Sequence, residues 1–150
     1  MRFRGDDFHE VWLPGFVRNA VLGAVLVMLS TGSFAQREVL VSGHIQGASG
    51  KHAVYVALWD ADGFLRNPVQ ELRIAPGAIP AFTFRVAAGR WAVSAYEDKN
   101  DNGKLDMGLF GPKEPAGFGR PFHAWRKPHF EDVAVQVEHD MTDVNIQLHP

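Results

Sequence analysis

The sequence predicts an all-β fold: a two-sheet sandwich of about seven short strands, interrupted by one long irregular loop. Three observations carry this. From Glu38 onward apolar and polar residues alternate with the strand period of two. Short clusters rich in Gly, Asp and Ser separate the alternating runs. No stretch shows an apolar stripe at helical spacing. At 150 residues the chain suits one domain with a core of ordinary size. Two facing sheets bury one apolar face each, and a small barrel is the alternative closure.

The runs read in order as follows. "EVLVSGHIQ" (38–46) sets Val39, Val41 and Ile45 on one face, and "HAVYVALW" (52–59) does so with Val54, Val56 and Leu58. "VQELRI" (69–74) is a weaker strand. "AFTFRVA" (81–87) alternates Phe82, Phe84 and Val86 against Thr83 and Arg85. "RWAVSAYED" (90–98) aligns Trp91, Val93 and Ala95. "FEDVAVQV" (130–137) aligns Val133, Val135 and Val137, and "TDVNIQL" (142–148) aligns Val144, Ile146 and Leu148. Turns at "GASGK" (47–51), "DADG" (60–63), "AAGR" (87–90) and "VEHDMT" (137–142) supply positive φ or Asx capping.

Residues 1–35 read as a secretory signal, leaving 36–150 as the sandwich domain. Arg18 precedes the apolar run "AVLGAVLVML" (20–29), and Ser33 and Ala35 stand before a cut ahead of Gln36. Ten apolar residues fall short of the roughly 20 of a spanning helix. A periplasmic or secreted protein with no stable membrane span after cleavage is therefore expected; a retained anchor is the alternative. The net charge is −2 and no long basic run occurs, which argues against a nucleic-acid partner. With no cysteine there is no disulfide, thiolate nucleophile or cysteine metal site.

"YEDKNDNGKLDMGLFG" (96–111) is the most pattern-bearing stretch. Counted from Asp98, the residues Asp98, Asn100, Asn102, Lys104 (through its carbonyl) and Asp106 occupy positions one, three, five, seven and nine of a calcium loop. Gly103 stands where such a loop reverses. Leu109 replaces the closing bidentate Glu, and no helices flank the stretch, so a helix-loop-helix calcium domain is not expected. Two readings stay open. In one, a structural calcium ion is held in a β-hairpin loop, completed by Glu97, Glu114 or Asp132, with an affinity near roughly 10⁻⁴ to 10⁻³ M. In the other, the Asp and Asn side chains cap neighbouring amides. "WDADGF" (59–64) looks like half of such a motif and reads better as a turn.

The segment "MGLFGPKEPAGFGRPFHAWRKPH" (107–129) breaks the strand rhythm and is rich in Gly, Pro and aromatics. Its aromatic content argues for order. Phe118, Arg120, Phe122, Trp125 and Arg126 form a candidate recognition surface for a protein or glycan; alternatively the aromatics tuck against one end of the sandwich. His123 and His129 lack transition-metal spacing, no Gly-x-Ser-x-Gly occurs, and no Gly-rich phosphate loop opens a helix. Glu131 and Asp132 would face opposite sides of a strand.

The order of motifs is similar to that of domain of unknown function 2141, a family of secreted bacterial proteins. The resemblance covers nearly all of the chain after the leader. Its most specific parts are "GRWAVSAYEDKNDNGKLD" (89–106), "FGPKEPAGFG" (110–119) and "FEDVA" (130–134). It implies an immunoglobulin- or prealbumin-like sandwich and no established activity. Trp91 stands where members often have Tyr, and "GRPFHAWRK" departs from the family's usual loop. The expectation is an exported, non-enzymatic protein. A carbohydrate-handling or envelope-associated enzyme, or an assembly subunit pairing through strand edges, is the alternative.

Overall fold

The computed structural model describes residues 37–122 and 126–150; the leader expected at 1–35 lies outside them. The elements are β1 (Glu38–Gln46), β2 (Ala53–Trp59), β3 (Gln70–Ile74), β4 (Ala81–Ala87), β5 (Gly89–Asp98), β6 (Ala116–Phe118), α1 (Phe130–Val133), β7 (Val135–Val137) and β8 (Met141–Gln147). One sheet runs β4-β1-β8 and the other β3-β2-β5-β6, with β7 also pairing β5. Neighbours are antiparallel except β1 and β8, which run parallel.

The period-two reading holds strand by strand. Val39, Val41 and Ile45 of β1 meet Phe82, Phe84 and Val86 of β4 in one buried core. Val54, Val56 and Leu58 of β2 and Val93 and Ala95 of β5 supply its opposite wall. Leu58 and Ile146 are fully buried there, each stabilising the fold by roughly 1.5–3 kcal/mol.

Two glycines allow the sheets to close. A Cβ on Gly43 would lie 1.8 Å from the Val144 carbonyl oxygen, at the point where the β1–β8 register shifts. A Cβ on Gly117 would lie 2.1 Å from the Gln147 carbonyl oxygen. There β6 passes close against the end of β8. The Ala116 and His149 backbones exchange two hydrogen bonds, of 3.1 and 3.0 Å. This crossing ties the edge of the five-stranded sheet to the end of the other.

Two elements differ from the sequence reading. The run 130–137 is not one strand: α1 takes Phe130–Val133 and only Val135–Val137 pairs with β5. The cause is local. Asp132 accepts a hydrogen bond from the His129 backbone N–H at 2.8 Å, which satisfies one of the free donors of a helix start. Glu131 and Asp132 therefore share a helical turn and do not face opposite sides of a strand. The long loop also contains a strand, β6, too short to show a period.

A second, smaller core covers the opposite face of β5. Ala92 packs there with Phe130, Val133 and Ala134, flanked by the half-buried Trp59, Phe64, Phe118 and Phe122. The Phe64 ring meets those of Trp59 at 6.1 Å and Phe130 at 5.8 Å, both edge-on. Among the described residues no helix is long and apolar enough to cross a membrane.

Candidate functional site: the connection from β5 to α1

Asp98 ends β5 and is 1 % exposed. Its two carboxylate oxygens accept the Gly103 N–H at 2.7 Å and the Asn102 N–H at 3.2 Å. Asn100 Oδ1 also accepts the Asn102 N–H, and Asn102 Oδ1 accepts the Lys104 N–H at 2.8 Å. Asp101 and Gly103 take positive φ of 57° and 72°, which winds the loop tightly. Asp106 then receives the side-chain amides of Asn100 and Asn102. The alternate residues singled out in the sequence do converge. Lys104 stands exposed on the turn they form.

The base of the loop is tied by a residue far along the chain. Glu114 is 4 % exposed; one oxygen accepts the Lys99 N–H at 2.8 Å and the other the Asp106 N–H at 3.1 Å. The Asp106 carbonyl in turn accepts the Lys113 N–H at 2.8 Å. Of the three carboxylates considered as a completing group, only Glu114 reaches the loop. Glu97, on the inner face of β5, accepts the backbone N–H and the hydroxyl of Ser49. Asp132 accepts two bonds from the Arg126 guanidinium, at 2.7 and 2.8 Å. Sequence reasoning passed over the Glu97–Ser49 tie, although Glu97 shares the inward parity of Val93 and Ala95.

Donor chemistry bears directly on a cation. Asp106 is met by two amide nitrogens, so Asn100 and Asn102 would have to turn their oxygens toward an ion. That turn would release the Asn102 and Lys104 amides. Beside the loop, Tyr96 stacks on Tyr55 with centroids 5.2 Å apart. Burial pushes the Tyr96 phenol well above its usual range, and Glu71, Asp98, Tyr55 and Glu114 push the same way.

The aromatic part of the connection is divided. Phe118 and Phe122 are half-buried in the second core, on a face of the sheet rather than at an end of the sandwich. Arg120 is exposed and donates to the Ala134 carbonyl at 3.2 Å. Arg126 lies 5.4 Å over the Phe122 ring while it pairs with Asp132. Trp125 and His123 lie outside the described residues. Leu109 and Phe110 occupy a turn closed by the Gly108 N–H on the Gly111 carbonyl at 2.7 Å, and are 97 and 100 % exposed.

The sequence profile of an uncharacterised protein family conserved in bacteria, DUF2141, matches residues 44–145. The chain belongs to this family. No curated protein and no solved structure matches it. The DUF2141 span takes in the acidic loop, its Glu114 tie, β6 and α1, and so the whole of this connection.

Proposed function

We propose that this chain is an exported, non-catalytic binding module. Its sandwich is a scaffold, and the connection 99–129 is its recognition element for an envelope protein or glycan. One observation supports this most: two buried carboxylates, Asp98 at the end of β5 and Glu114 within the connection, hold four backbone amides of the loop between them. Acids engaged in this way shape a surface. Arg120 and Arg126 are exposed on the same connection, and Arg126 lies over the Phe122 ring. Export rests on the charged, apolar, small-residue order of 1–35. Titration of the isotope-labelled chain with soluble envelope glycan fragments and envelope proteins, followed by amide shifts, tests the reading. Shifts concentrated in 99–129 support it; shifts confined to the strand edges would replace it with an assembly subunit.

A second reading for the loop itself keeps a structural calcium ion at Asp98, Asn100, Asn102, Lys104 and Asp106, because these residues gather on one turn; it requires Asn100 and Asn102 to turn their oxygens, in place of the nitrogens that now face Asp106, toward the ion. Calorimetry at millimolar calcium decides between the two. The hydrogen-bonded loop gives no heat and an unmoved melting temperature. Heat that Asp106→Ala abolishes would establish the ion.

A further inference from the structure

We propose that Asn102 is a deamidation site held dormant by the fold, with the Asp98 carboxylate as its cover. Asn102–Gly103 is the one Asn–Gly pair in the sequence. Glycine puts no side chain in the way of ring closure, so the Gly103 nitrogen can reach the side-chain carbonyl carbon of the residue before it. In that step the nitrogen gives its proton to a solvent base and bonds to Asn102 Cγ. The bond from Cγ to Nδ2 breaks, and ammonia leaves with a proton from water. Water then opens the succinimide ring to aspartate or isoaspartate, and the backbone nitrogen regains its proton. Asn102 and Gly103 are exposed, so water has access to both.

Geometry opposes the first step. The electron pair that attacks lies along the former N–H bond, and the Gly103 N–H is directed at Asp98 Oδ2, 2.7 Å away. Asn102 Cγ must come to the place that this oxygen fills. The carboxylate also resists loss of the proton, which would set two negative charges face to face. Asp98 is buried at the end of β5, so the cover is anchored in the sheet. The side-chain amide is held as well: Oδ1 accepts the Lys104 N–H at 2.8 Å and Nδ2 donates to Asp106 at 3.2 Å. The Lys104 bond polarises the carbonyl and would help attack, so the restraint lies at the Gly103 nitrogen. A second loop repeats the arrangement. Asp62–Gly63 is the one Asp–Gly pair, prone to the same cyclisation with loss of water in place of ammonia. There Asp60 Oδ1 accepts the Gly63 N–H, also at 2.7 Å. Deamidation at 102 would add a negative charge beside Asp106 and take a donor from it.

The full chain is incubated at mildly alkaline pH, native or unfolded in urea, and peptide mapping by mass spectrometry follows deamidation at 102. The native chain is expected to react about ten- to a hundredfold more slowly, the degree to which one charge-assisted hydrogen bond makes opening rarer. Asp98→Ala brings the folded rate to within a few-fold of the unfolded one. Glu114→Gln loosens the same loop at Lys99 and Asp106 but leaves the Gly103 N–H on Asp98, and so moves the rate little. Asp60→Ala raises isoaspartate at 62 and not at 102. Equal rates in the native and unfolded chains overturn the proposal. So does equal acceleration by Glu114→Gln and Asp98→Ala, which would assign the protection to general stiffness of the loop. Should Asp98→Ala fail to fold, hydrogen exchange at Gly103 in the native chain decides: slow exchange supports the cover, and fast exchange beside slow deamidation removes it.

Discussion

At the residue scale, single atoms decide several features. The Asp132 carboxylate accepts two bonds from Arg126 and one from the His129 backbone, and these hold its pKa down to about 2 from an ordinary 3.8. A depressed carboxylate favours the folded state above its unfolded value and loses that effect as pH falls through its folded one. Its contribution is thus complete above about pH 4 and gone below about pH 2. Carboxyl resonances followed by NMR should give a midpoint near 2 for Asp132, moving toward 3.8 in Arg126→Ala. A midpoint near 4 in the native chain would dissolve the pair. Gly43 poses a steric question. Its missing Cβ would stand 1.8 Å from a backbone oxygen, which cannot rotate away as a side chain could. Gly43→Ala should cost about 1–3 kcal/mol of stability in urea unfolding, because the parallel β1–β8 ladder must separate.

At the element scale, the connection behaves as a strapped unit. Glu114 lies 15 residues from Lys99 and 8 from Asp106, and its two oxygens hold both amides. Glu114→Gln offers one of those amides a donor where it needs an acceptor. A loss of about 1–3 kcal/mol is expected, with faster hydrogen exchange at Lys99 and Asp106. Unchanged exchange at both would mean that the loop keeps its shape without the strap. The Asp/Asn alternation announced a tight turn in the sequence, since those side chains reach the amides two to five residues on. The strap was named only as one of three candidates, because nothing local ties Glu114 to Asp98. For α1, alternating valines and a helical cap compete over the same residues. The cap prevails at Phe130–Val133, where Asp132 can reach the His129 amide, and the alternation prevails three residues later, where β5 offers an edge.

At the scale of the whole molecule, the sandwich was legible because each strand buries one face, so its pattern survives translation into sequence. The second core was not. It is assembled from Trp59, Phe64, Ala92, Phe118, Phe122 and Phe130, which no single period joins. Its position has a thermodynamic consequence. Ala92 belongs to it while the next residue, Val93, belongs to the main core, so β5 is a wall of both. Loss of either core should then unfold the other. Phe130→Ala, in the smaller core, and Phe82→Ala, in the larger, are each expected to cost about 3–5 kcal/mol. Both should leave one cooperative transition, coincident by tryptophan fluorescence and far-ultraviolet circular dichroism. Were the smaller core a separate patch, Phe130→Ala would instead produce an early fluorescence change from Trp59 while the β signal persisted. Coincident curves would mean that the connection 99–129 melts only with the sandwich, so that its shape is held as firmly as the fold.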